Sequence, residues 1–302
     1  MLATSLSLDD FKPITLGDKN LFDNHYSKYP PIHSDNLFTT MISWMNYSNY
    51  QYAFSNDNLI IFTNINNQIQ FRLPSGKFNK DVVQQVFKLA KKDGSDSPIG
   101  LIDNQIKNEI LKIYPNLIFI QDRKYYDYVY TASNLAELSG SDYSKIRNRL
   151  NKFISKYNYT VEKISEENMA EVNNFLKRWC LWKDCDSDIL LENEKKAILY
   201  SMSHFFELKL SGIAILINGK IEAIAVFEKM SPDTAVVHYE KGSPDYDGIY
   251  KAINQETAKI LQKDFKYINR QSDMDLPGLR KAKLSYRPYR MIEVSHIEKK
   301  SL

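Results

Sequence analysis

The stretch SGIAILINGKIEAIAVFEKMSPDTAVVHYEKG, residues 211–242, decides the fold. Apolar, β-rich runs at 213–217, 220–228 and 235–241 are broken by Asn218-Gly219 and by Ser231-Pro232-Asp233. That pattern predicts three strands in succession, the first two joined by a type I′ hairpin, because Asn-Gly tolerates the two positive φ angles such a turn needs. A further strand is expected just upstream, at 206–210. Before it, Ser165 is placed to cap a helix whose first turn holds Glu166 and Glu167 and whose apolar positions are Val172, Phe175, Leu176 and Trp179. A second helix is expected from about residue 190 to 202. Downstream, a helix over roughly 248–262 leads to a strand at 267–270.

Two helices, four strands, a helix and a strand follow one another in a GNAT-type acyltransferase domain. The meander is antiparallel, and the strand after the crossover helix lies parallel beside its last member. The first half echoes that order more faintly. A helix is expected at 36–47, strands at 50–54, 59–63 and 69–73, a helix at 80–91 and a short strand at 99–102. A helix at 105–113 and strands at 117–120 and 125–130 follow. The fold class expected is therefore α/β (α+β): two tandem GNAT-like domains, each a mixed, mostly antiparallel sheet flanked by helices. Their expected limits are 1–140 and 141–302, the second carrying the active site.

Composition bounds the reading without deciding it. With 302 residues, 43% hydrophobic and 25% charged, the chain is long enough for two modest globular domains. A net charge of +3 means that any nucleic-acid role must come from local patches. The two cysteines, Cys180 and Cys185, flank Trp182 at a spacing that is neither a zinc half-site nor a redox motif. No metal is expected, and reduced thiols fit a cytoplasmic protein. The N-terminal MLATSLSLDDF lacks the basic and apolar regions of a signal peptide, and no window approaches a membrane span. A soluble protein is expected, one that can still act at the inner membrane surface.

Two basic clusters stand out. On an expected helix over 141–156, Lys145, Arg149, Lys152 and Lys156 fall on one face while Ile146, Leu150, Phe153 and Tyr157 fall on another. The stripe is either a solvated helix face or a polyanion surface. The run NRQSDMDLPGLRKAKLSY, residues 269–286, brings Arg280, Lys281 and Lys283 together after a Pro-Gly break, with Arg287 and Arg290 following. That density of charge suits phosphate, or else a solvated basic surface.

Longer motifs carry a resemblance. YYDYVY (125–130), LAELSGSDYSKIRNRLNKF (135–153), LEN (191–193), HYEKG (238–242), YDGIYKAIN (246–254), INR (268–270) and GLRKAKLSY (278–286) resemble the family named after the C-terminal domain of phosphatidylglycerol lysyltransferase. The resemblance runs from about Phe11 to Val294. It implies a tandem GNAT fold like that of Fem-type transferases, which move an aminoacyl group from a charged tRNA to an amine or hydroxyl acceptor. In membrane-bound relatives that acceptor is phosphatidylglycerol. A soluble form without the flippase portion is expected here, which sets the lipid acceptor apart from the rest of the pattern. Where relatives commonly carry an acidic pair after INR, this chain has Gln271-Ser272-Asp273.

Transfer from an aminoacyl ester requires donor and acceptor held close, a base for the acceptor proton and a stabilised oxyanion. Period-two alternation puts His238 and Glu240 on one face of a strand, with Tyr239 and Lys241 on the other. Either His238 or Glu240 is a candidate base, against the blander reading of a core histidine and a structural carboxylate. Lys241, Arg280, Lys281 and Lys283 are candidate phosphate ligands from a tRNA end, a lipid headgroup or a nucleotide. Tyr246, Asn254 and Arg270 complete the candidate substrate site, at a helix N-terminus whose free amides suit an anion. Lys145, Arg149, Lys152 and Lys156 are the candidate tRNA surface. No cofactor is expected beyond aminoacyl-tRNA as donor. GSPDYDGIY, residues 242–250, lacks the usual glycine spacing of a CoA pyrophosphate loop. A CoA-dependent N-acyltransferase and a non-catalytic anion-binding protein of the same fold are the alternatives.

Overall fold

The computed structural model describes residues 6–184 and 189–302. The chain forms two compact units, residues 1–126 with 292–302, and residues 127–291.

In unit 1, β1 (Lys12–Pro13), β2 (Gln51–Ser55), β3 (Asn58–Ile65), β4 (Gln68–Phe71), β5 (Gly94–Asp103) and β6 (Phe119–Gln121) build one sheet. The C-terminal strand Val294–Ile297 enters between β5 and β6, antiparallel to both. The hairpins β2–β3 and β3–β4 turn at Asn56-Asp57 and Asn66-Asn67, all four at positive φ, the conformation Asn and Asp tolerate best. Helices α1 (Lys19–Lys28), α2 (Phe38–Ser43), α3 (Met45–Ser48), α4 (Lys80–Asp93) and α5 (Asn104–Ile113) accompany the sheet. The single helix expected over 36–47 is broken at Trp44, whose ψ of 11° departs from the helical range. Asn79 caps α4 through bonds from the amides of Asp81 and Val82, and α4 returns the chain to β5, parallel to β4. Phe62, Phe71, Val82, Val86, Ile99 and Ile297 form the centre of the core beneath it.

Unit 2 carries most of the expected order. It holds β7 (Asp127–Thr131), α6 (Ala132–Glu137), α7 (Ser144–Lys156), β8 (Tyr159–Lys163), α8 (Met169–Lys183) and α9 (Ile189–Ser203). The meander β9 (Ser211–Ile217), β10 (Lys220–Lys229) and β11 (Thr234–Gly242) follows, then α10 (Ile249–Leu261), β12 (Tyr267–Asn269), α11 (Pro277–Ser285) and β13 (Arg290–Ile292). Sheet order is β13-β7-β12-β11-β10-β9-β8, with β11 and β12 parallel across the α10 crossover. Asn218 and Gly219 turn at φ 51° and 73°, the type I′ geometry the sequence predicts.

Three features depart from expectation. Residues 204–209 form turns continuing from α9, with amides of Leu208 and Leu210 bonded to the carbonyls of His204 and Phe205, so no strand forms at 206–210. The fourth antiparallel strand is instead β8, an exposed edge strand paired with β9. Strand β7 and helix α6, assigned to the first half by the 1–140 limit, belong to unit 2: β7 pairs antiparallel with β12, and Gln255 of α10 donates to the Ala136 carbonyl at 2.9 Å. Asn168, three residues after Ser165, precedes α8 and accepts from the Ser165 amide.

Candidate functional site

Strands β11 and β12 pair only between Thr234–Val236 and Tyr267–Asn269. Beyond that point β11 continues to Gly242 against β10 alone, so one edge loses its neighbour and the sheet opens. Ligands of open parallel sheets settle at such carboxyl-end crevices, where main-chain groups and side chains are not consumed by the ladder. Arg270, the first residue past β12, crosses the opening. Its Nη2 donates to Glu240 Oε2 of β11 in a short ion pair, with side chains only 13% and 10% exposed. Asn254 of α10 donates Nδ2 to the other carboxylate oxygen at 2.9 Å. The Tyr286 and Tyr130 rings lie 5.0 and 5.7 Å from the guanidinium carbon. Burial opposes the Arg270 charge, but Glu240 and the two phenols outweigh it and hold the group above its ordinary value. Two buried polar atoms beside this pair have no partner among the described residues, Arg270 Nη1 and Asn254 Oδ1. An unused donor and an unused acceptor next to a satisfied carboxylate are costly in an empty fold and useful in a binding site.

His238 is not part of this arrangement. The β10–β11 register pairs Phe227 with Val237 and Val226 with Tyr239, leaving His238 as the extra residue of a bulge. The bulge resets the alternation. Glu240, opposite Ala225, points to the α10 side, whereas Tyr239 and Lys241 point to α8 and α9. His238 goes with the latter: Nε2 lies 2.8 Å from Glu228 Oε1 and Nδ1 3.1 Å from the Gln271 amide nitrogen. Both ring nitrogens are engaged and the side chain is 2% exposed. The reading that His238 and Glu240 share a face is thereby corrected.

The other expected residues separate by environment. Lys241 donates to Glu194 at 2.8 Å over the Trp179 ring, on the face away from Glu240. Arg280 is clamped on Asp273 and Asp275, closing the turn before α11, and Asp273 also accepts a hydrogen bond from the Tyr128 hydroxyl. Lys283 points inward and donates to the carbonyls of Arg270, Gln271 and Ser272. Burial and Arg270 push Lys283 down to about 7, yet three carbonyl acceptors are best met by an ammonium, so Lys283 acts as a protonated brace under the Arg270 segment. Lys281 is exposed. Of the anticipated phosphate cluster at 280–283, Arg280 and Lys283 are thus engaged within the chain. Tyr246 packs edge-on against Tyr157 at 5.0 Å. Lys145, Arg149, Lys152 and Lys156 all lie exposed along α7, Arg149 paired with Asp247 at 3.1 Å. Cys180 is half-buried, and Cys185 lies outside the described residues. Among the described residues no cluster of three metal-ligating side chains occurs, and no helix is long and apolar enough to cross a membrane.

One residue missed in sequence belongs at the opening. Lys251, in the first turn of α10, sits with Nζ 4.6 Å from the Tyr286 ring centre, the ring that also faces Arg270. Burial, then repulsion from Arg270 and Arg149, lowers it to about 8. Its signal was its place three residues before Asn254, on the same helix face.

The family model for the C-terminal region of phosphatidylglycerol lysyltransferase matches residues 26–295. The chain belongs to this family. Among solved structures, this lysyltransferase-family chain is similar to the crystal structure of a conserved protein of unknown function from Bacteroides thetaiotaomicron. That protein is 31% identical over 95% of this chain and 98% of its own, with a TM-score of 0.88. The L-PGS structure from Bacillus licheniformis aligns at 13% identity over 93% of this chain and 91% of its own, with a TM-score of 0.64. The crystal structure of FemX aligns at 9% identity over 96% and 98%, with a TM-score of 0.58, a likeness of fold alone. No curated protein sequence matches the chain. The fold is thus tandem and GNAT-like, and the family points to a transferase.

Proposed function

We propose that this chain moves an aminoacyl group from aminoacyl-tRNA to an amine or hydroxyl acceptor, at the opening between β11 and β12. The observation that carries the reading is the buried Arg270 guanidinium, fixed by Glu240 and still holding an unused Nη1 donor. A preorganised cation with a free N–H, shielded from water, is what a developing oxyanion needs. The acceptor heteroatom attacks the ester carbonyl carbon, and Arg270 Nη1 donates to the carbonyl oxygen as it gains charge. Lys251 in its neutral form takes the acceptor proton and returns it to the ribose oxygen as the carbon–oxygen ester bond breaks. A base lowered to about 8 suits that task near neutral pH. Asn254 Oδ1 supplies an acceptor for an amine or hydroxyl hydrogen. Glu240 acts as a positioning residue, holding Arg270 and Asn254 rather than the proton. The exposed α7 stripe supports a polyanionic donor.

The test is a transfer assay on purified protein with tRNA pools charged with labelled amino acids, supplied with lipid and peptide extracts as acceptors. Label in a tRNA-dependent product, lost on adding ribonuclease, is expected. Absence of product from folded protein, combined with thermal stabilisation by CoA, would replace this reading with a CoA-dependent one.

A further inference from the structure

Unit 1 repeats the device of a parallel strand pair joined by a helix, and at the carboxyl ends of β4 and β5 it contains a cavity of about 390 Å³. Arg72, one residue past β4, lines it and is 8% exposed. Its Nη1 donates to Gln70 Oε1 at 3.0 Å, while its Nε is buried without a partner among the described residues. The guanidinium is positioned from behind. Gln70 Nε2 donates to the Ser97 carbonyl at 2.8 Å, and the Gln70 amide rests on Gly100, where an added Cβ would come within 2.4 Å of Oε1. Asn36, also lining the cavity, has a buried Oδ1 without a partner among the described residues. Leu101, in the wall, holds a positive φ of 52°, an unfavourable conformation for a branched side chain.

The remaining wall is mainly apolar, with Ile61, Leu73, Phe78 and Ile106 prominent. Asp103 and Glu109 also line it, and Asp103 Oδ1 is occupied in capping α5. Arg72 and the exposed Lys28 offset Asp103 and Glu109, so the wall has no surplus of positive charge. A buried guanidinium in such a wall is poorly matched to a phosphate dianion and well matched to a single carboxylate taken side-on. We infer that unit 1 holds a second ligand site, for a small carboxylate with an apolar or aromatic body, gripped by Arg72. Asn36 Oδ1 adds a place for a hydrogen-bond donor near the carboxylate. The site rests on unit 1 residues alone and stands whether or not the transferase reading holds.

The experiment uses the intact chain, thermal shift and ligand-observed saturation-transfer NMR. The probes are L-phenylalanine, 3-phenylpropionate, phenethylamine and inorganic phosphate. Both carboxylates should stabilise the protein and show saturation transfer to their rings, and the amine and phosphate should not. L-Phenylalanine binding more tightly than 3-phenylpropionate identifies an amino-acid source, and the reverse a simple organic acid. Arg72→Met, and independently Gln70→Leu where Arg72→Met fails to fold, should weaken carboxylate binding tenfold or more. Phe78→Ala, at a half-exposed wall position, should weaken it less. No binding by either carboxylate at millimolar concentration overturns the inference. So does equal binding of phenethylamine or phosphate, or binding undiminished in the folded variants.

Discussion

Replacing Arg270 by methionine isolates the energetics of the candidate site. The substitution keeps length and apolar bulk but leaves Glu240 buried, with Asn254 as its remaining hydrogen-bond partner among the described residues. Removing one member of a buried ion pair costs about 3–5 kcal/mol, since the remaining charge keeps its desolvation penalty. The Tyr130 and Tyr286 faces also lose their cation, which adds about 1 kcal/mol. The Arg149–Asp247 pair, with side chains 59% and 55% exposed, is the control: Arg149→Met should cost under about 1 kcal/mol. Adding Glu240→Gln to Arg270→Met removes the stranded charge and keeps an acceptor for Asn254, so the double variant should regain most of the loss. Urea unfolding followed by tryptophan fluorescence in a Trp44→Phe background reads unit 2, because the other indoles are Trp179 and Trp182. Transfer should behave differently. Without the Nη1 donor, both the single and the double variant should lose about 10²–10³ in kcat. A single variant destabilised by less than about 1 kcal/mol, or a double variant no more stable than the single, would refute the buried-pair argument. Full activity in the stable double variant would refute the oxyanion role.

Other expectations follow from the same geometry. Wild-type transfer should rise with pH to a plateau above about 8, and Lys251→Met should flatten that rise and lower the rate by about 10²–10⁴. Because the folded Lys251 value lies below the unfolded one, the unfolded chain binds the extra proton, so its contribution to stability grows from about pH 8 to pH 10 and should vanish in Lys251→Met. Changing Lys145, Arg149, Lys152 and Lys156 to glutamine should reduce the salt dependence of tRNA binding by about 0.7–0.9 log units for each phosphate no longer neutralised, measured by filter binding across salt. An unchanged slope would mark α7 as a solvated face. Gly248→Ala should cost more than about 1 kcal/mol in the urea assay, because Gly248 has φ 96° and its Cβ would meet Phe153 Cβ at 2.9 Å and the Arg149 carbonyl at 3.0 Å.

Local rules carried the reading of unit 2 as far as they reach. The Asn218-Gly219 turn, the α10 crossover and the parallel return of β12 follow from signals within a few residues of each other. β8 was not legible because its burial alternates only weakly at an exposed edge, so its hydrophobic pattern is shallow. The turns at 204–209 look like a strand in sequence because Phe205 and Leu208 are buried, but they are buried through a helix-end geometry. α11 was hidden by its charge, although Pro277 stands where a first helical turn tolerates it. Glu240, Asn254 and Arg270 were each named from sequence. What brings them together is the divergence of two parallel strands, a property of twist and register that no single segment encodes. His238 fails for the opposite reason: one extra residue in β11 reverses the face that strict alternation assigns to it. In the 280–283 cluster, Asp273 and the carbonyls of 270–272 neutralise charges that a one-dimensional reading leaves free.

The strand Val294–Ile297 sits inside the unit 1 sheet, between β5 and β6, though roughly 170 residues of chain separate it from β6. Residues 127–291 are therefore synthesised in full before the sheet of unit 1 receives its interior strand. Until residues 294–297 are released, β5 and β6 present open edges to other chains. Order of synthesis and order of completion are reversed. A stop codon near residue 290 would spare most of unit 2 and strike the first-made unit, and the nascent chain's need for protection should peak just before residues 294–297 emerge.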